Sequence, residues 1–291
     1  MTEASRLDHF TEARPMLLSL AYRMLGTRAD AEDVVQEAFL RWQAAEASEI
    51  ASPRAYLATI TARLALDHLK SARVKRETYV GTWLPEPLVN HPSPEKLELA
   101  ESLSVAFLHV LESLSPPERA AFLLHDIFDA DYGEIAGALD TSEANARQLA
   151  TRARRHLEER RPRFTVDRAK QEEVLGRFLA ACNSGDMTSF RAMLREDAVS
   201  YSDGGGKVYA AINPIFGADR VVRLYAGLMR RNYGQAFGVV FADVNGQPGV
   251  CFTVDGKLSM VTTLDLDENA RIRALYHVLN PDELAGVQSL A

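Results

Sequence analysis

The chain has 291 residues, 47% hydrophobic and 25% charged, with a formal net charge of −7. That is the composition of an ordinary soluble protein with material for two or three domains. No apolar run approaches the roughly 20 residues needed to cross a bilayer, and the N-terminal MTEASRLDHF has no apolar signal core. A cytoplasmic protein without a membrane partner is expected. Cys182 and Cys251 have no metal-type spacing and read as buried thiols, so no metal and no cofactor is expected.

The negative total argues at first against a nucleic-acid binder, but the distribution of charge matters more than its sum. Acids concentrate in residues 30–37 and 95–101, and bases in 63–76 and 147–163. A chain with separate acidic and basic faces can hold a protein with one and a polyanion with the other.

The first two-thirds reads as helix. Leu17, Leu18, Ala21, Tyr22 and Leu25 recur at three- and four-residue spacing, and Gly26 is placed to end that helix. A second helix is predicted from Ala29 or Asp30, with acids in its first turn and Val34, Val35, Ala38, Phe39 and Trp42 on its apolar side. Ser52-Pro53 reads as the cap and first residue of a third helix, which runs to about Ala72. Arg63, Lys70, Arg73, Lys75 and Arg76 give it a basic stripe suited to phosphates.

Residues 77–97 hold four prolines and read as an extended linker. Trp83 and Leu84 are out of place in a solvated linker; they pack locally or anchor a docked segment. Helix resumes near Glu95. Ser115-Pro116-Pro117-Glu118 is an N-terminal helix signal.

The most specific local signal is DYGEIAGALDTSEANARQLATRARR, residues 131–155. A short helix, a tight turn at Asp140-Thr141 and a longer helix with alanines on one side fit a helix-turn-helix; an ordinary helical hairpin with a solvated arginine face is the competing reading. In a helix-turn-helix the second helix enters the major groove. Ser142, Glu143, Asn145, Arg147 and Gln148 would lie at its reading end, with Arg152, Arg154, Arg155, Arg160 and Arg161 available to phosphates.

With these motifs in order, the chain resembles the extracytoplasmic-function sigma factors. Residues 30–42, DAEDVVQEAFLRW, resemble the helix of sigma domain two that grips the β′ clamp helices of core RNA polymerase. The resemblance implies that Asp33, Gln36, Glu37 and Phe39 make that contact. Pro53-Arg54-Ala55-Tyr56-Leu57 with Ile60, Arg63, Leu64, Asp67 and Lys70 resembles the segment that recognises and opens the minus-ten element, and the family captures a flipped-out base in the preceding loop, here Ser48 to Ser52. Leu114 to Arg155 resembles domain four, which reads the minus-thirty-five element.

The subgroup is also legible. Trp83-Leu84-Pro85-Glu86-Pro87, Asp203-Gly204-Gly205-Gly206-Lys207 and Asn280-Pro281-Asp282-Glu283-Leu284 resemble three motifs of sigma factors fused to a SnoaL-like, ketosteroid-isomerase-like domain. Glu283 stands where that subgroup usually has lysine. The resemblance implies a regulatory role for these motifs.

The expected fold is therefore multidomain. An all-α N-terminal two-thirds holds sigma domain two (1–76), the Pro-rich linker (77–97) and sigma domain four (98–163); a C-terminal α+β domain (166–291) follows. In that last part, helices are predicted at 170–183, 186–194 and 218–230, and strands at 249–254, 258–264 and 270–279. Asn245-Gly246 and Asp255-Gly256 are hairpin signals, and the sheet is expected to be curved and antiparallel.

Three roles compete for the C-terminal domain: regulation of the sigma domains in cis, an enzyme, or a sensor whose pocket takes a small-molecule ligand. As a base the enzyme would have His277, with Asp203, Asp243 or Asp265 as acids, but a lone His on a strand is more often structural. The glycine run lacks a phosphate loop's context and reads as a turn. The expected function is a sigma factor, not an enzyme, that binds core polymerase and promoter DNA and is modulated in cis. The alternatives are a helix-turn-helix regulator with a ligand-sensing domain, or a sigma factor whose C-terminal domain is catalytic.

Overall fold

A computed structural model describes the backbone of residues 3–45, 50, 52–77, 79–89, 104–158, 166–231 and 237–287. The chain forms two compact units. One is Met1–Thr78 with Val110–Arg161; the other is Tyr79–His109 with Pro162–Ala291. The described residues 79–89 of the linker and 104–109 of the predicted domain four thus belong to the unit of the C-terminal domain.

In the helical unit, α1 (Glu3–Leu25), α2 (Arg28–Ala44) and α3 (Pro53–Glu77) pack together. α1 ends at Gly26, whose positive φ of 80° lets its N–H return to the Tyr22 carbonyl. The cap of α2 is Thr27, whose hydroxyl accepts from the Asp30 N–H, so that helix starts slightly earlier than its acids suggest. Trp42 is fully buried, and its indole N–H donates to the Arg6 carbonyl. α3 runs five residues past the predicted end.

Next come α4 (Val105–Leu111) and α5 (Pro116–Phe122), the latter with the expected Ser115–Glu118 capping box. A π-helical turn, Leu123–Ile127, extends α5. α6 (Tyr132–Leu139) and α7 (Glu143–Glu158) follow. Asp131 and Glu134 form a second capping box, and Asp140 takes the left-handed conformation (φ 51°) that turns the chain into α7.

The other unit is α+β. α8 (Arg168–Ser184), α9 (Met187–Met193) and α10 (Ala218–Arg231) cover one face of a six-stranded sheet. Its strands are β1 (Leu194–Asp203), β2 (Ile215–Phe216), β3 (Phe237–Val244), β4 (Gln247–Val254), β5 (Lys257–Leu266) and β6 (Ile272–Val278), in spatial order β2-β1-β6-β5-β4-β3. Both hairpin signals are realised: Asn245, Gly246, Asp255 and Gly256 all have positive φ, as a type I′ turn requires. The sheet is not wholly antiparallel, because β1 runs parallel to β6. β1 and β6 are far apart in sequence, so no hairpin forces their directions to oppose.

The second face of the sheet is covered too. Val244, Cys251, Val261, Ala274, Tyr276 and Val278 meet Leu84, Val89, Val105, Ala106 and Leu284 of α11 (Pro281–Leu284). A strand buried on both faces reads as an apolar run rather than an alternation, which is the pattern of β6.

Candidate functional sites

Two outward surfaces lie on the helical unit. On α2, Asp33, Gln36 and Glu37 are exposed while Val34, Val35 and Ala38 are buried. Glu37 is shared with Arg41 in an exposed pair at 3.0 Å. Phe39 is not on that face: it is half-buried, its ring 4.5 Å from that of Phe10 on α1. Leu40, 53% exposed, is. Residues 33, 36, 37 and 40 follow the three- and four-residue spacing of one helix face, and sequence reasoning passed over Leu40 because a leucine is assigned to a core by default.

On α7 the division is as sharp. Ala146, Ala150, Ala153 and Leu157 are buried against α5 and α6, where small side chains allow close approach. Ser142, Glu143, Asn145, Arg147, Gln148, Arg152 and Arg155 are exposed. Ser142 caps the helix, its hydroxyl accepting from the Asn145 N–H, and the Arg147 guanidinium lies 4.9 Å from the Tyr132 ring centre. Arg154 is held instead by Asp126 at 2.7 Å, a contact that pushes its pKa up. Arg160 and Arg161 lie outside the described residues.

On α3, Arg63 and Lys70 are exposed, and Lys70 pairs with Asp67. Arg73, Lys75 and Arg76 continue the helix but their side chains lie outside the described residues, as do Ser48, Glu49 and Ala51 of the expected base-capture loop. Arg63 is engaged with backbone carbonyls of α6.

The third site is inward. Asp203 ends β1 with its side chain fully buried. Its carboxylate accepts from the Tyr79 hydroxyl (2.5 Å), the Leu84 N–H (2.7 Å) and the Gly205 N–H (2.9 Å). Burial raises the Asp203 pKa, opposed by these three donors. Tyr79 is raised as well, first by burial and then by its bond to Asp203. The Asn280 side-chain amide donates to the same Tyr79 oxygen (3.0 Å), while its carbonyl caps α11 by accepting from the Asp282 N–H.

The linker motif and the two C-terminal motifs thus converge. Leu84, Pro85, Glu86 and Pro87 are buried and Trp83 is half-buried. Gly204, Gly205 and Gly206 form a tight turn, closed by the Lys207 N–H on the Gly204 carbonyl. A side chain at Gly205 would meet the Asn280 side chain at 2.5 Å, at a φ of +60°. Pro281 opens α11, and Lys207 pairs with Asp282 across the surface. Glu283 is buried beside Tyr79. Further along, Leu88 exchanges hydrogen bonds with Asn245, and Val89 bridges to Val244. Tyr79 and Asn245 are central to this grip; Tyr79 stands in no motif and was missed in the sequence, and Asn245 was legible only as a hairpin-turn residue.

The candidate catalytic groups are not brought together. Both ring nitrogens of His277 are taken, by Tyr225 (2.8 Å) and Thr262 (2.9 Å), and burial pushes its pKa down to about 4. Asp265 pairs with Arg273, Asp243 with Arg168, and Asp203 holds the linker. Among the described residues no cluster of His, Cys, Asp and Glu is arranged to hold a metal, and no helix is long and apolar enough to cross a membrane.

Profiles of known families match the chain twice: sigma-70 region 2 over residues 9–74 and sigma-70 region 4 over residues 104–157. The ECF RNA polymerase sigma factor SigJ of Mycobacterium tuberculosis is 40% identical over 293 residues, spanning 96% of this chain and 93% of that protein. The probable ECF RNA polymerase sigma factor SigI of the same species is 34% identical over 276 residues, 93% of this chain and 92% of that one. The crystal structure of M. tuberculosis SigJ matches with a TM-score of 0.77 at 39% identity, covering 96% of this chain and 98% of that chain.

Proposed function

Because this chain belongs to the extracytoplasmic-function sigma factors of RNA polymerase, we propose that its C-terminal SnoaL-like domain regulates it by holding the segment that joins its two sigma domains. As a sigma factor the chain directs core polymerase to promoters. The face of Asp33, Gln36, Glu37 and Leu40 docks on the β′ clamp helices. α7 reads the upstream element with Asn145, Arg147 and Gln148, while Arg152 and Arg155 meet phosphates.

The observation that carries the regulatory reading is the core of the second unit. Leu84, Val89, Val105 and Ala106 from the joining segment share one apolar cluster with Val244, Cys251 and Tyr276 of the sheet. The minus-ten and minus-thirty-five elements lie about 25 base pairs apart, roughly 85 Å of duplex at 3.4 Å per base pair. Unrestrained, the segment from Thr78 to His109 could extend to about 100 Å. Gripped at both ends by one domain, it reaches no further than that domain's width. Releasing it lengthens the tether and favours the arrangement that spans a promoter.

Asp203 is the point of control, since its carboxylate ties Tyr79 and Leu84 to the sheet. In Asp203→Ala the Leu84 N–H and the Tyr79 hydroxyl lose their shared acceptor, at about 1–3 kcal/mol. The expected result is faster proteolysis within residues 79–109 and a rise of roughly threefold or more in promoter-specific transcription with core polymerase. Unchanged proteolysis together with unchanged transcription sinks the reading.

A further inference from the structure

Two arginines of α7, Arg147 and Arg154, stand two helical turns apart and so share one stripe of the helix. They are held in different ways, and Tyr132 of α6 meets both. Tyr132 opens α6, where the capping box of Asp131 and Glu134 pins the first turn. Its hydroxyl accepts from a terminal nitrogen of Arg154 at 3.4 Å. Its ring centre lies 4.9 Å from the Arg147 guanidinium carbon. The His125 ring packs on the same tyrosine, 4.4 Å between ring centres. His125 and Asp126 both belong to the π-helical turn Leu123–Ile127, an irregularity that helices keep mostly at functional sites. Here the turn presents the His125 ring to Tyr132, and it presents Asp126 to Arg154 Nε at 2.7 Å.

Arg154 is thereby braced on its own domain, half-buried, with Asp126 matching its charge. Arg147 is exposed, and among the described residues no carboxylate pairs with it. Glu143, one turn earlier on α7, stands at the spacing for such a pair. Its carboxylate instead lies beside Gly133 of α6, where a Cβ would come within 3.3 Å of Glu143 Oε1. Arg147 is therefore held by a neutral ring. A carboxylate would restrain the guanidinium but would also compete with DNA for it. An aromatic face restrains it while leaving its charge and its forked N–H donors available.

We propose that Tyr132 is a positioning residue for promoter readout: its ring presets the Arg147 guanidinium for a guanine of the upstream element, while its hydroxyl and Asp126 keep Arg154 off the DNA. The chemistry names the base. A guanidinium offers two parallel N–H donors, and the major-groove edge of guanine offers two acceptors, O6 and N7. A free arginine gives up rotamer freedom to make that paired contact, and one already held on a ring gives up less. The gain goes only to a base that accepts both bonds. The ring therefore sharpens base preference rather than general affinity for DNA. This rests on α7 as the recognition helix, and it adds a residue of α6 that acts through Arg147.

The test selects promoters from a library randomised over the upstream element, with the full chain on core polymerase. Arg147→Ala should erase a preference for guanine at one position; loss of a preference for another base there overturns the guanine assignment. Tyr132→Leu should weaken that same preference by about two- to fivefold, the worth of an exposed cation–π contact, and leave the other positions alone. The salt slope of binding should not move, since no phosphate contact is lost. Tyr132→Phe keeps the ring and should keep the preference, although Arg154 loses its bond to the hydroxyl. In the Arg147→Ala background, Tyr132→Leu should change nothing further at that position. A second measurement needs no ring-free variant. The Arg147 Nε–H proton, assigned by its absence from Arg147→Lys, should be shifted upfield by the ring current in wild type and in Tyr132→Phe. An unshifted proton overturns the proposal even if Tyr132→Leu fails to fold by circular dichroism. A preference that Tyr132→Leu leaves intact, or that Tyr132→Phe weakens equally, overturns the positioning role alone and leaves α7 as the reader. A profile unchanged in Arg147→Ala overturns the reading beneath it as well.

Discussion

In the helical unit the polar residues of interest face outward, and in the C-terminal unit they face inward. Asp33, Gln36, Asn145, Arg147 and Gln148 are exposed on helices whose opposite sides are buried. Asp203, Asn280, His277 and Asn245 are buried and hydrogen-bonded. The first arrangement leaves charge available to partners that arrive from outside. The second satisfies each polar group internally, which is the condition for burying it at all, and it makes the domain a clamp on its own chain.

The comparison is broken most decisively at α2. Asp33→Lys combined with Glu37→Lys places two cations on a face proposed to dock through its acids, and reversing the charge of a docking face costs several kcal/mol. Affinity for core polymerase should fall by a hundredfold or more, about 3 kcal/mol. Both side chains are exposed and Glu37 has only an exposed pair with Arg41, so the fold should survive. Full polymerase affinity in a folded double variant would mean that outward charge here is merely solvated.

The inward arrangement predicts a pH signature. His277 is neutral in the folded protein until about pH 4, against an ordinary value of 6.5. Between these values the unfolded chain takes up a proton that the folded chain refuses. Stability is therefore full above pH 6.5 and falls as pH drops toward 4, by up to about 3 kcal/mol. Asp203 and Asp265, raised by burial, act with the opposite sign and are common to wild type and variant. Calorimetry of the full chain should show that His277→Gln flattens the acid loss of the C-terminal transition. Equal slopes in the two proteins would show that the imidazole is not sealed from solvent.

How far the sequence reaches follows the same division. α7 and its turn were legible to within two or three residues, because alanine spacing and capping residues act locally. The hairpins at Asn245-Gly246 and Asp255-Gly256 were legible because a type I′ turn selects its residues. The extent of β3 was not anticipated, and neither was the parallel pairing of β1 with β6, which is decided by contacts distant in sequence. The three motifs around the linker were recognisable as strings, but their meeting at Asp203 was not. Tyr79, which joins two of them, carries no local signal, and a tyrosine in a linker is unremarkable until Asp203 and Asn280 are found on its hydroxyl. Phe39 is the opposite case: it lies in the motif but packs on Phe10.

The finest division falls inside one motif, between Asp203 and Lys207. Asp203 is fully buried with three donors on its carboxylate, whereas Lys207 meets Asp282 with the two side chains 53% and 66% exposed. An exposed pair gains little Coulomb energy in water, gives up side-chain entropy, and is worth about 0–1 kcal/mol. Lys207→Ala should therefore alter linker protection and transcription by less than about threefold, and added salt should change wild type as little. If Lys207→Ala matched Asp203→Ala in effect, the grip on the linker would be electrostatic and exterior, and burial of the Asp203 carboxylate would not be what fixes it.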